Sequence, residues 1–338
     1  MARRKRKKKG TAARRRALWL GGALLVLLVV WGSVAEWFVH HPPDWIARQS
    51  ALVAAPLLWL GNPVADITDG LGWTGYDTVH EYDTEAPSGS VVFAGPPSRQ
   101  SAPAPDDIRV LDRGEFLIGW SDRLRHPVWC AYHVVRDAKF ENGKRPGFTK
   151  DPSVLRAPAP GDYTNSGYDR GHMAPNHAIE TRYGTSEQKK TFQMSNIAPQ
   201  SAALNRGVWR DFEHRIADLW TERYGEIWVI VGCISPVANG KTVGKTDIDV
   251  PTEYYQLILA QENMDVRALA VLFRQDVPWN AWAARHIVTI RELEARTGLD
   301  FNPELPSFFQ EQIETDRPSR LWPVRFRDIF SQIALRFR

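Results

Sequence analysis

An imidazole, a guanidinium, a carboxamide and a carboxylate recur in an order that could do chemistry. His172 and Arg170 lie together in Tyr168-Asp169-Arg170-Gly171-His172-Met173; Asn205 follows 32 positions beyond Met173, and Glu213 comes after it. These are the parts for hydrolysing a phosphodiester with one hard metal ion. The imidazole, with an ordinary pKa of about 6.5, can take a proton from water near working pH. A guanidinium holds phosphate through paired hydrogen bonds. A neutral amide oxygen suits Mg²⁺, which prefers oxygen, keeps most of its waters and needs few protein ligands. Each residue also has a plainer explanation: a lone His is more often structural, and Asn is a favoured helix N-cap. Most glutamates on helices simply face water.

The surrounding blocks decide between these. Asp162-Tyr163-Thr164-Asn165-Ser166-Gly167 precedes the hexapeptide and Met173-Ala174-Pro175-Asn176 ends it. Thr191-Phe192-Gln193-Met194-Ser195-Asn196-Ile197-Ala198-Pro199-Gln200 and Leu204-Asn205-Arg206-Gly207-Val208-Trp209 follow. In this order they resemble the DNA/RNA non-specific endonucleases, whose catalytic unit is the ββα-metal motif, over roughly residues 106–298. The resemblance implies that His172 is the general base, Asn205 the direct ligand of Mg²⁺ (or another divalent cation such as Mn²⁺), and Glu213 the holder of an ion-bound water. Arg170 is then the phosphate or leaving-group clamp, unless it and Asp169 form a network that only supports the fold. Asp169 is assigned to positioning, and Asn196 to orienting the metal shell or the loop near His172. Arg206 and Arg210 are candidates for substrate phosphates, or ordinary exposed arginines. The implied substrates are DNA and RNA, cut with little sequence preference to leave a 5′-phosphate. Breadth of that kind is expected, because phosphate contacts position a nucleic acid without reading its bases.

Two details stand outside this pattern. Family members often carry Lys where this chain has Gln256. His172 and His177 form an H-x₄-H pair, but no Cys or third His is placed along the chain to complete a zinc site.

The elements that must carry these groups read as α+β: a ββα-metal nuclease fold with a central, mainly antiparallel sheet flanked by helices. Strands are expected at 129–135, 226–232, 254–259 and 268–273, where β-branched and aromatic residues cluster. A helix is expected over 204–224, where Trp209, Phe212, Ile216, Leu219 and Trp220 recur at three- and four-residue steps. A second is expected from about Ala281 to Arg296, stopping at Gly298. Cys130 and Cys233 sit in apolar runs and read as buried thiols, with a disulfide as the alternative.

The chain has 338 residues, 43% of them hydrophobic, so most of it must fold. Its net charge of +4 misleads. Residues 1–16 hold ten Lys/Arg and no acid, leaving 33 basic against 39 acidic groups beyond them. Any phosphate-attracting surface is therefore local. Residues 17–35 carry no charge and match the length of a membrane-spanning helix, with the basic tail 1–16 on the cytoplasmic side. The expectation is a single-pass membrane protein with its catalytic domain outside the cytoplasm; secretion after cleavage near Ser33-Val34-Ala35 is the alternative. Residues 36–85 read as a juxtamembrane region, 86–107 as a Pro/Gly/Ser-rich linker, 108–298 as the endonuclease domain and 299–338 as a C-terminal extension. From Arg320 that extension packs on the domain, or lies on an anionic membrane as a basic amphipathic helix. The rival functions are a non-catalytic nucleic-acid-binding module and a phosphodiesterase acting on a small molecule or lipid headgroup.

Overall fold

Runs of β-branched and aromatic residues form the strands, and the longest are buried almost end to end. In the computed structural model the described residues are 80–81, 90–136, 140, 143–235, 240–262 and 265–324. The basic tail 1–16, the apolar segment 17–35, nearly all of region 36–85 and residues 325–338 lie outside them. The strands are β1 (His80–Glu81), β2 (Ser98–Arg99), β3 (Ile108–Asp112), β4 (Phe116–Ser121), β5 (His126–Val135), β6 (Asp169–His172) and β7 (Ile197–Gln200). They continue with β8 (Glu226–Ile234), β9 (Thr242–Val243), β10 (Ile248–Asp249), β11 (Glu253–Glu262), β12 (Asp265–Arg274), β13 (Ile287–Val288) and β14 (Leu299–Asp300). Helices α1 (Asn176–Tyr183) and α2 (Thr185–Thr191) lie between β6 and β7. Helix α3, residues 204–224, alternates π turns (Leu204–Trp209, Arg215–Trp220) with α turns (Arg210–His214, Thr221–Tyr224). Helices α4 (Ile290–Thr297) and α5 (Ser307–Thr315) complete the set.

The main sheet runs β1-β12-β11-β8-β5-β4-β3, with β13 on β12 and every pairing antiparallel. Alternation along each strand gives the sheet two faces. Tyr255, Leu257 and Leu259 of β11 join Trp129, Trp228 and Ile230 on one, against Leu293 of α4 and Phe309 and Ile313 of α5. Tyr254 falls on the other face, where its ring meets Trp209 of α3 at 5.8 Å, and Phe212 packs on Phe273 at 6.2 Å. Helices cover both faces, so β5, β8 and β11 read as unbroken apolar runs rather than as half-buried alternation. The α+β architecture with a central antiparallel sheet is the expected one.

Two boundaries differ from expectation. The stretch read as a linker belongs to the domain from residue 90: Phe93, Ala94 and Ala104 enter the core and β2 pairs with β14. Helix α4 begins nine residues after Ala281, at Ile290. There Thr289 Oγ1 accepts from Glu292 N (2.9 Å) and Glu292 Oε2 accepts from Thr289 N (2.8 Å), a capping box that fixes the start. It ends, as expected, at Gly298, whose φ of +70° is left-handed. The described part of the C-terminal extension packs on the domain, with Trp220 Nε1 donating to Trp322 O at 2.9 Å. Cys130 and Cys233 are both buried and unpaired.

Candidate active site

Strands β6 and β7 form a separate antiparallel ribbon, in the register Asp169↔Gln200 to His172↔Ile197, and β7 leads into α3. The ribbon is fastened to the main sheet from below. The Tyr254 hydroxyl donates to Pro199 O, Gln275 Nε2 donates to the same carbonyl at 2.8 Å, and Ser201 N donates to Gln275 Oε1 at 2.7 Å. Gly171 is required by close approach: a Cβ there would meet Gln200 Oε1 at 2.1 Å.

His172 ends β6 and is only 9% exposed. Its ring lies 4.8 Å from Phe192, edge-on, and 5.3 Å from Phe148. Nε2 is buried without a hydrogen-bond partner among the described residues. Burial pushes the imidazole down to about 3, and the charge of Arg145 adds to that shift. The ring is therefore neutral at pH 7. Asn196, fully buried, holds the chain just beyond it: its Oδ1 accepts from Ala174 N at 2.9 Å, and its Nδ2 donates to Ala174 O and Thr191 O, both at 3.0 Å.

Arg170 points the same way along β6 and shares Phe148 with His172, its guanidinium carbon 5.4 Å from that ring. Both Nε (3.1 Å) and a terminal nitrogen (2.5 Å) donate to Pro160 O. The guanidinium is thus aimed by the main chain rather than paired with Asp169. Asp169 instead faces α3. It accepts from Asn205 Nδ2 at 3.0 Å and takes the Arg206 fork at 2.7 and 2.5 Å. These bonds hold the Asp169 carboxyl below its ordinary range against the cost of burial. Arg206, a candidate for a phosphate contact or an ordinary exposed arginine, is paired with Asp169. Arg210 is exposed and leans on Asp211 at 3.3 Å.

Asn205 is not a helix cap. Residues 202–203 are already helical, and its backbone N donates to Ser201 O at 2.9 Å. With Nδ2 committed to Asp169, the amide oxygen is the group's remaining acceptor. Glu213, two turns on, accepts from Trp209 Nε1 at 2.9 Å through Oε1. Desolvation pushes its carboxyl up to about 8, against the lowering pull of His214, Arg210 and Arg145. A neutral amide oxygen and a second carboxylate oxygen on one helix are the oxygen donors that fit a hard divalent ion retaining most of its waters, and the unpartnered imidazole nitrogen is left for proton transfer.

Arg145 was not singled out in the sequence. It sits over the Phe192 ring at 5.2 Å and acts electrostatically on both His172 and Glu213, so it links the two sides of the site. Its sequence setting, Lys144-Arg145-Pro146-Gly147, carries no spacing signal relative to His172. Gln256 is fully buried, and neither of its polar side-chain atoms has a partner among the described residues.

Two antiparallel strands feeding a helix, with His172 on a strand and Asn205 and Glu213 on the helix, is the arrangement of the ββα class. The sequence pattern of the DNA/RNA non-specific endonuclease family matches residues 95–308, and the chain belongs to that family. It is 31% identical over 206 residues to the mitochondrial nuclease EXOG of Danio rerio, covering 56% of this chain and 59% of that protein. It is 30% identical over 214 residues to a nuclease of Serratia marcescens, covering 60% and 78%. The EndoG/EndoGI complex crystal structure contains a similar fold, with TM-score 0.53 and 25% identity over 58% of this chain and 86% of that one.

The expected single-pass membrane location is corrected. Among the described residues no helix is long and apolar enough to cross a membrane, and relatives such as EXOG and the endonuclease G of Bos taurus are named as mitochondrial nucleases. The stretch 17–35 on which that expectation rested lies outside the described residues.

Proposed function

We propose that this chain is a metal-dependent, sequence-non-specific endonuclease that hydrolyses phosphodiester bonds of DNA and RNA. The observation that carries the proposal is His172: a neutral imidazole whose buried Nε2 has no partner among the described residues, on the same strand as Arg170 and, like Glu213, within electrostatic reach of Arg145. His172 takes the proton from the attacking water, for which a neutral ring is needed. Arg170, braced against Pro160 O, and Arg145, on the Phe192 ring, hold the negative oxygens of the scissile phosphate. Asn205, oriented by Asp169, and Glu213, oriented by Trp209, would hold a Mg²⁺ ion and one of its waters. When bound, that ion supplies charge to stabilise the transition state and the departing oxygen. Asn196 and Asp169 keep the strand and helix in register for these roles.

The test uses the full-length protein with supercoiled plasmid, single-stranded RNA and bis(p-nitrophenyl) phosphate, each in Mg²⁺ and in EDTA. Nicking of plasmid and RNA in Mg²⁺ alone is expected. Turnover of the small diester with both polymers intact would favour the phosphodiesterase alternative. Retention of plasmid with no cleavage would favour the binding module.

A further inference from the structure

His177 lacks a partner in sequence but has two in space. Its Nε2 lies 2.8 Å from Asp218 Oδ1, and His214 Nδ1 lies 3.0 Å from Asp218 Oδ2. The two rings are 5.3 Å apart, and one ligand atom from each of the three residues falls within 4.8 Å of the others. His177 stands on α1, the first helix after His172, whereas His214 and Asp218 are one turn apart on α3. None of the three belongs to the catalytic set described above.

We infer that His177, His214 and Asp218 form a second metal site, selective for a borderline transition ion of the Zn²⁺ class and distinct from the Mg²⁺ site. Two imidazoles and one carboxylate match the ligand preferences of Zn²⁺, Co²⁺ and Ni²⁺, whereas Mg²⁺ prefers oxygen. Zinc sites take nitrogen at about 2.0–2.1 Å and carboxylate oxygen at about 2.0–2.2 Å, so the two imidazole–carboxylate contacts of 2.8 and 3.0 Å must open slightly and the three ligand atoms, now within 4.8 Å of one another, settle around the ion. The three side chains are 27–45% exposed, which leaves room for water to complete the coordination. Arg182 lies within electrostatic reach of Asp218, a like charge that the entering ion must outweigh. It also donates to the Ala217 carbonyl, in the turn that carries Asp218. Binding would replace hydrogens shared with Asp218 by the ion, releasing protons where the rings are protonated. The ion would pin α1, which follows the proposed base, to the turn of α3 that bears Glu213.

The experiment titrates the metal-free full-length protein at pH 7.5 with Co²⁺, followed by visible absorption, and with Zn²⁺ in competition with a chromogenic chelator. Wild type, Asn205→Ala, His177→Gln and His214→Gln are compared, with far-UV circular dichroism of each metal-free variant as the check on folding. One Zn²⁺ equivalent is expected in wild type and in Asn205→Ala. Affinity should fall by at least about ten-fold in both His variants, no less than the loss of an outer-shell partner brings. Zn²⁺ should raise Tm in wild type and Asn205→Ala, but not in the folded His variants. Millimolar Mg²⁺ should leave the Co²⁺ spectrum unchanged. The inference is overturned if wild type binds no Zn²⁺, if either folded His variant binds it as wild type does, or if Mg²⁺ or Asn205→Ala abolishes the Co²⁺ spectrum. None of these readouts depends on nuclease activity.

Discussion

Two titratable groups of the site are pushed in opposite directions by one cause, loss of water. His172 falls to about 3, which leaves its ring neutral at pH 7; Glu213 rises to about 8 in spite of His214, Arg210 and Arg145, so its carboxyl is protonated at pH 7 when no metal ion is bound. The second shift has a consequence for stability. A carboxyl whose pKa rises on folding costs stability as pH climbs from its ordinary value of 4.5 toward the folded value near 8. Gln at this position keeps the acceptor for Trp209 Nε1 and never ionises. Metal-free Glu213→Gln should therefore melt above wild type at pH 8, and the gap should close as pH falls toward 4.5. Coincident melting curves in EDTA at pH 8 would show that the carboxyl is not desolvated. His172, Asn205 and Glu213 stood out in the sequence only through the family resemblance of the blocks that hold them; taken singly, each had a plainer explanation. The partners that set their charge were not legible there. Arg145, Phe148 and Phe192 reach the imidazole only through the fold, and Arg206 is diverted to Asp169 by helix geometry that linear order does not express.

At the level of elements, the site depends on a short ribbon held over a wide sheet. The cores of β5, β8, β11 and β12 were readable as apolar runs, and α3 as a helical stripe, since burial on both sides leaves a strong compositional trace. The ribbon β6–β7 left no such trace. Its four-residue strands pair across α1 and α2, and its fastening comes from Tyr254 and Gln275, more than 50 residues away. The start of α4 depends on the Thr289–Glu292 box, and the place of residues 90–107 on the pairing of β2 with β14. Gly171→Ala tests how tightly the ribbon is built. The added methyl meets the fully buried Gln200 side chain, so overpacking should cost about 1–3 kcal/mol. Chemical denaturation would read this as a lower midpoint at unchanged slope. A midpoint equal to wild type would mean that Gln200 can yield.

Across the whole molecule, charge is divided unevenly. Ten basic residues lie in the first sixteen, and the rest of the chain is net negative. Sequence-independent attraction to phosphate scales with the number of contacts, and each contact steepens the dependence on salt. Deleting residues 1–16 should weaken plasmid binding at low salt and flatten that dependence, while kcat for nicking in Mg²⁺ stays within about two-fold because no site residue is touched. A parallel loss of kcat would place part of the site in the tail.

The central claim is that His172 removes the proton from water, and it is tested most directly by His172→Ala in the full-length protein. Plasmid nicking in Mg²⁺ under single-turnover conditions is compared with plasmid binding in EDTA. Loss of a general base should slow the chemical step by about 10²–10⁴-fold. Binding, carried by the arginines, should change by less than about two-fold. Nicking by His172→Ala within ten-fold of wild type would contradict the account.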